Sequence, residues 1–540
     1  MDLIKEMSMM STTALLASLS ITVWFAWVWL SGRYPTIIQN LHQKYGKVVR
    51  IAPNELSFNT IQAHRDIYST PSHKRKLFIK DPTFYYNGDS VRVLFYELDP
   101  TEHAWQRRLL AAGFSAKAMR NQEYLVHRYV DLFVQKMRKL SAASHGAGVN
   151  IAEVMLWLGF DIMAEITFSE SFGAVESGKP HFWISLLRDG AHAAMLPALA
   201  QRMPLLRAVL PYLISRSAIE NRVKHYAYTE ETVRKRVRLQ DEDPSKETAD
   251  LFGPVIASGK LDWASLVSLA QAMVIAGADT VSHTLTGATY FLCAAPTVLK
   301  ALQDEVRGLG TYDELTGDRL ASLRYLNAVI EETLRMFPPI AFGLPRVSPG
   351  DCVDGHFVPA GVTVSAPHWA INHNGTEWED PWTFRPERWL VEGGVSQPRS
   401  LAFSTGPRAC LGIGQAWLEI RIALAKIVYT YDMEFARDHG DWLGDTKMYM
   451  MWKEAPLMVR SAVQQVPTTS LYETYGTTAR SPETKLKSYL AEGEVPQLSA
   501  LRPLVLDFWN APCSSAALYF TLLFENKFKF NDHKVDQVLQ

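Results

Sequence analysis

Apolar positions recur at helical spacing through most of the chain. Between about residues 120 and 240 they form a one-sided stripe, as in Tyr129, Leu132, Phe133, Met137 and Leu140, which predicts amphipathic helices. Residues 262–294 form a longer apolar run with Gly277, Asp279 and Thr280 inside it. Arg324 to Phe337 predicts another helix, stopped by Pro338-Pro339, because proline cannot continue a helical ladder. Ile413, Ala416, Trp417, Ile420, Leu424 and Ile427 mark a further helical face. Strands are fewer. Lys47 to Ala52 predicts a short one closed by Pro53-Asn54, and Val- and Thr-rich pieces punctuated by Gly and Pro predict several more across 341–366. Asp241 to Glu247 is a polar surface connection. The pattern predicts a mainly α fold with a small β-rich part and no internal repeat.

The two ends differ from this body. No Asp, Glu, Lys or Arg stands between Glu6 and Arg33, and Ser11 to Leu30 is apolar enough and long enough to span a bilayer. Trp24, Trp27 and Trp29 near its end fit an aromatic belt, and Arg33, His42, Lys44 and Lys47 beyond it orient the main body to the cytosol. A cleaved signal peptide is the competing reading, but that core is shorter and ends in small residues, whereas this one ends Trp-Val-Trp-Leu. From about 465 onward Pro, Thr, Ser and Glu dominate, and the apolar stretch 504–524 is broken by Asp507, Asn510 and Pro512. A disordered tail with a sticky patch is the reading there.

Composition narrows the function classes. At 540 residues and 47% apolar the chain can bury a large core, and a net charge of −1 excludes bulk attraction to nucleic acid. The four cysteines, Cys293, Cys352, Cys410 and Cys513, are far apart, which gives neither a disulfide framework nor a zinc site.

The most informative cysteine lies in Phe403-Ser404-Thr405-Gly406-Pro407-Arg408-Ala409-Cys410-Leu411-Gly412. A helix follows at once, so its free N–H groups and dipole favour a thiolate at Cys410. Gly406 and Gly412 allow a tight turn close to a large flat ligand, and Arg408 offers a cation to a carboxylate. The competing reading is a buried structural cysteine.

The spacing F-x-x-G-x-R-x-C-x-G resembles the haem-ligand loop of cytochrome P450 enzymes. Three more segments resemble that family in the same order along the chain. Ala276-Gly277-Ala278-Asp279-Thr280 is similar to its oxygen-binding segment, with Val281 where a second hydroxyl residue often follows. Glu332-Thr333-Leu334-Arg335 is similar to its helical ion pair, and Phe384-Arg385-Pro386-Glu387-Arg388-Trp389 to the motif whose arginine joins that pair. His103 and Arg107 share one helical face and, like Arg346 and Arg408, resemble the family's haem-propionate partners.

The resemblance covers roughly residues 36–462. It implies a cytochrome P450 fold behind an N-terminal transmembrane anchor helix: residues 1–10 lumenal, 11–31 the anchor, 32–462 the catalytic domain and 463–540 an atypical tail. It implies haem b with Cys410 as axial iron ligand, Phe403, Gly406 and Gly412 around the haem, and a structural cluster of Glu332, Arg335 and Arg388. Asp279 and Thr280 would relay protons to the oxygen being activated. Electrons would come from NADPH through a separate membrane-bound cytochrome P450 reductase. The setting would be the endoplasmic reticulum membrane, with the catalytic domain cytosolic.

The substrate would be a lipophilic small molecule, in a pocket drawn from residues 84–98, 193–215, 273–280, 340–343 and 450–452. Val49 to Phe58 resembles the filamentous-fungal branch that tailors secondary metabolites, which suggests a terpenoid or polyketide intermediate. Two alternatives stay open. One is a haem-thiolate isomerase or peroxide-using enzyme without a reductase, against which the Asp279–Thr280 pair speaks. The other is a non-catalytic, membrane-anchored haem protein, suggested by the short hinge Ser31 to Pro35 and the long tail.

Overall fold

The computed structural model describes Trp24 and residues 27–71, 76–86, 91–186, 188, 196–202, 216–242, 250–390 and 400–463. The tail beyond 463, most of the anchor segment and residues 243–249 of the polar connection lie outside the described residues.

The molecule is built around the helix Trp263–Ala294, 32 residues long and so about 48 Å from end to end. Asp262 caps it by accepting a hydrogen bond from the Ser265 N–H at 2.8 Å, which satisfies one of the orphan donors of a helix start. The helix is long and apolar enough to cross a membrane, but from Val281 to Cys293 nearly every side chain is buried in the core. Its main partner, Ile151–Phe168, is buried almost all round. The two backbones touch at Gly159, where a Cβ would lie 2.6 Å from the Ala278 carbonyl oxygen. Ser282 closes that contact by donating to the carbonyls of Met155 and Ala278.

Ala116–Ala143, Arg324–Met336 and Ile413–Thr430 complete the helical core. The last two match the stripes of the sequence closely.

The strand-rich part is a five-stranded sheet in the order β1-β2-β8-β5-β3. Its strands are β1 (Val48–Ala52), β2 (Glu55–Phe58), β3 (Ile79–Lys80), β5 (Arg346–Val347) and β8 (Thr363–Ser365). β2 and β8 run parallel, with Leu56 opposite Val364, and every other pair is antiparallel. The pairing of β3 with β5 sets Lys80 opposite Arg346. A three-stranded sheet joins β4 (Val149–Asn150), β12 (Met458–Val463) and β9 (Tyr431–Phe435). The hairpin of β6 (Asp351–Val353) and β7 (His356–Val358) and the pair β10 (Lys447–Met448) and β11 (Trp452–Lys453) stand apart.

Two N-terminal assignments change. Trp24 and Trp27 are exposed, but Trp29 is 3% exposed and so cannot belong to an aromatic belt. Its ring packs on Tyr34 at 4.3 Å and on Phe84 and Phe342 at 6.0 Å. Val28 is equally buried, so the packed body begins inside the segment read as anchor. His42, counted among the orienting cations, is buried between the Gly46 carbonyl and Ser57 Oγ. Burial holds its pKa below the usual histidine range, so it adds no surface charge at neutral pH.

Candidate active site

The Cys410 loop is two single turns of 3₁₀ helix, Leu401–Phe403 and Gly406–Arg408, leading into Ile413–Thr430. The Cys410 N–H donates to the Phe403 carbonyl at 2.9 Å, which folds the cysteine back over the loop's start. Gly406 has φ +73°, and a Cβ there would lie 2.2 Å from the Tyr68 carbonyl oxygen. Its missing side chain makes room for the Tyr68 backbone, and its left-handed φ is the tight turn the sequence suggested. Gly412 has an ordinary φ of −86°, and a Cβ there would meet only Phe114, at 3.6 Å. No steric demand from the described protein explains that glycine. Phe403 lies partly buried near Trp417.

Cys410 is accessible to solvent although it sits deep in the fold. Burial raises its thiol pKa, against the opposing pull of the Gly412 N–H and the Arg107 charge. A directly coordinated metal deprotonates a thiol outright.

Basic side chains gather beside this loop. The helix Pro100–Leu110, capped by Asp99, presents both His103 and Arg107. Arg107 donates to the Ala409 carbonyl at 2.6 Å. Arg408 donates to the carbonyls of Glu97 and Leu98 at 2.6 and 2.9 Å. Arg346, held by β5, donates to Tyr85 Oη at 2.7 Å and to the Pro345 carbonyl at 3.0 Å. Lys80, on the paired strand β3, donates to the carbonyls of Leu94 and Phe95.

These groups repel one another. Burial and the charges of Arg408 and Arg346 push the Lys80 ammonium down to about 6. Burial and four cations push His103 down to about 3. Burial and Arg346 bring Arg408 down to about 10. Among the described residues none of the five makes an ion pair; their partners are carbonyls and a phenol. A buried cation is tolerable only when compensated, and this set calls for anionic groups. The two propionates of haem fit it.

Sequence reasoning missed Lys80, and it placed Tyr85 in a substrate-pocket segment, not beside Arg346. Lys80 belongs to no motif, and only the β3–β5 pairing brings it to Arg346.

On the central helix, Thr280 Oγ1 donates to the Ala276 carbonyl at 2.8 Å, the back-bond expected of a helical threonine. Ala276 itself is exposed in mid-helix, and Asp279 and Thr280 are half-buried. Gly277 has a packing role the sequence did not suggest: a Cβ there would lie 2.6 Å from Met163 Sδ. Asp279 Oδ1 lies 3.6 Å from His283 Nε2, one turn on. The other ring nitrogen of His283 bonds to Glu454. His283 and Glu454 were also missed. The i,i+4 spacing of Asp279 and His283 was a readable signal, but nothing in the sequence pointed to Glu454.

Glu332, Arg335 and Arg388 form a buried cluster. The Glu332 carboxylate accepts from Arg335 Nε and Nη2 and from Arg388 Nε, each at 2.9 Å, and from Trp389 Nε1 at 3.0 Å. Arg335 also donates to the carbonyls of Asn372 and Pro381. Both guanidiniums spend their donors on one carboxylate and on backbone, a structural arrangement with no group left for catalysis.

Comparison with known proteins agrees with this geometry. The cytochrome P450 family matches residues 18–460. The chain is 37% identical to cytochrome P450 monooxygenase BOA3 of Botryotinia fuckeliana over 452 residues, 81% of this chain and 88% of that one. It is 36% identical to cytochrome P450 monooxygenase poxC of Penicillium oxalicum, over 80% of this chain and 84% of that one. It is 34% identical to cytochrome P450 monooxygenase btcC of Neocamarosporium betae, over 81% and 89%.

The chain therefore belongs to the cytochrome P450 family and is an oxygen-incorporating oxidoreductase. The family implies a haem-thiolate iron cofactor.

Proposed function

We propose that this chain inserts one oxygen atom of O2 into a lipophilic small molecule, by hydroxylation, epoxidation or further oxidation. We assign the step to the tailoring of a fungal secondary metabolite of terpenoid or polyketide type. The observation that carries the proposal is the meeting of the Cys410 loop with five basic side chains that make no ion pair among the described residues. When bound, the haem supplies the redox chemistry that activates dioxygen, and a thiolate ligand favours O–O cleavage.

The chain's own residues do the rest. Cys410 would hold the haem iron through its sulfur. Lys80, His103, Arg107, Arg346 and Arg408 hold the carboxylate edge of the cofactor. Asp279 and Thr280 hold and pass protons on the central helix.

The lipophilic substrate is supported by the side chains of the pocket segments. Phe84, Tyr85 and Phe342 are buried, and Met273, Ile340 and Met450 lie partly buried against the core. Residues 87–90, 193–195 and 203–215 of those segments lie outside the described residues.

Electrons come from NADPH through a separate reductase docking on the Cys410 side. The endoplasmic reticulum membrane is the proposed setting, supported by the apolar run from Ser11 and by the exposed rings of Trp24 and Trp27.

The test is the reduced, carbon-monoxide difference spectrum of the full chain in membranes, beside Cys410→Ala. A strongly red-shifted Soret band in the parent alone is the expected result. An unshifted band or no haem would overturn the assignment of Cys410. Turnover with NADPH and a fungal reductase, screened over terpenoid and polyketide substrates, then tests the substrate class.

A further inference from the structure

His283 is 1% exposed and stands between two carboxylates. Its Nδ1 bonds to Glu454, from the segment that follows β11. Its Nε2 faces Asp279 Oδ1 at 3.6 Å and has no closer polar partner.

A neutral imidazole carries a single N–H. If that proton served Glu454, the lone pair of Nε2 would face the Asp279 carboxylate; if it served Asp279, the lone pair would face Glu454. Only the imidazolium bonds to Glu454 and at the same time sets an N–H, not a lone pair, against the Asp279 carboxylate at 3.6 Å. The charges agree: burial pulls the His283 pKa down, but the Glu454 and Asp279 carboxylates outweigh it and bring it up to about 10.

Glu454 follows directly on Trp452–Lys453, and Trp452 is fixed to the body by donating to the Pro338 carbonyl at 2.8 Å. His283 therefore ties the helix carrying Asp279 and Thr280 to the turn 450–452, which the pocket assignment includes.

We propose that His283 is a positioning residue for proton delivery: clamped by Glu454, its imidazolium faces the Asp279 carboxylate and holds it oriented. Asp279 can then take a proton from solvent on one oxygen and pass one towards Thr280. This rests on the reading of Asp279 as the acid that passes protons. Loss of the imidazolium removes the charge that faces the Asp279 carboxylate at 3.6 Å, and the delivery fails.

The experiment uses the haem-loaded full chain with NADPH, a fungal cytochrome P450 reductase and no added substrate. It reads hydrogen peroxide released per NADPH consumed across pH 5.5–10, since misdelivered protons release oxygen as peroxide instead of water. His283→Gln is expected to raise the peroxide yield several-fold at pH 7 and to abolish the alkaline-side rise that follows loss of the His283 proton. Glu454→Gln is expected to bring the alkaline-side rise to lower pH, because His283 then loses its proton sooner, and Glu454→Asp to restore it.

A second readout needs no turnover: a double-mutant cycle of Asp279→Asn and His283→Gln in the melting temperature of the haem-loaded protein. Contacting charges should be non-additive. Additive melting shifts, or an unmoved pH profile in His283→Gln with Asp279→Asn still raising peroxide, would overturn the role of His283 alone. An unchanged peroxide yield in Asp279→Asn would overturn the reading of Asp279 as well. If His283→Gln fails to hold haem, the pair Glu454→Gln and Glu454→Asp decides through the alkaline limb.

Discussion

Arg107 reaches from its helix to within 2.6 Å of the carbonyl oxygen of Ala409, the residue before Cys410. The contact joins an element near residue 100 to the Cys410 loop three hundred positions away. Arg107 thus braces the loop as well as adding positive charge beside it. Replacing Arg107 by Ala removes a charge-assisted hydrogen bond, worth about 1.5–3 kcal/mol. Haem loss from the purified protein, followed by transfer to an acceptor apoprotein, should be about tenfold faster or more. Arg107→Lys keeps the charge but not the planar fork and should fall between the two. Equal rates for all three would show that the contact does not hold the loop.

The Glu332 carboxylate is shared by two arginines that are otherwise bonded only to backbone. Glu332→Gln leaves both guanidiniums buried with no counter-charge, and breaking such a pair typically costs about 3–5 kcal/mol. Urea unfolding should show that loss as an earlier midpoint at unchanged slope. Arg388→Ala leaves Arg335 on Glu332 and should cost less. If Arg388→Ala folded and retained haem as the parent does, the three-residue cluster would not be structural.

The cluster also shows why some of the site was legible and some was not. Glu332 and Arg335 are one helical turn apart, and Arg388 sits in a recognisable six-residue motif, so local spacing carried the information. The same holds for Cys410 in its loop and for Asp279-Thr280 in an apolar helix. Lys80 and Glu454 have no such local signature: each is a single charged residue whose partner is brought to it by strand pairing or by packing across the fold. The glycines carry a packing role that local spacing does not show: the missing side chains of Gly406 and Gly277 make room for the Tyr68 backbone and for Met163. Trp29 misled because an apolar run ending in tryptophans looks the same in sequence whether its last turn meets lipid or a protein core.

Lys80 gives a prediction that changes sign with cofactor. Burial and neighbouring cations push its pKa down to about 6. In the haem-free protein its charge is therefore a penalty, full below about pH 6 and relieved as pH rises towards the unfolded value near 10.4. Lys80→Met should raise the melting temperature of haem-free protein at pH 6. In the haem-loaded protein the propionates supply the missing counter-charge, and the same substitution should lower the melting temperature and weaken haem retention. Destabilisation of both forms alike would exclude Lys80 from the carboxylate-binding set.

Thr280 tests the proton relay directly. Positioned proton transfer contributes roughly 10²–10⁴-fold, so Thr280→Ala should lower product formed per NADPH by an order of magnitude or more while NADPH consumption continues. Thr280→Ser keeps the hydroxyl and should recover most of the yield. An unchanged yield in Thr280→Ala would remove Thr280 from the relay.

His283 makes stability itself depend on pH. Its folded pKa, up to about 10, lies above the unfolded value near 6.5. The folded chain therefore binds the proton more tightly than the unfolded one. That stabilisation is fully present below about pH 6.5 and is lost progressively as pH rises to about 10. His283→Gln cannot be protonated, so its melting temperature should fall furthest below the parent's at pH 6, with the gap narrowing towards pH 10. Glu454→Gln removes one of the two carboxylates that raise the pKa and should shift the narrowing to lower pH. A gap independent of pH would mean that the imidazole is neutral throughout, and that Asp279 is not held by an imidazolium in the resting protein.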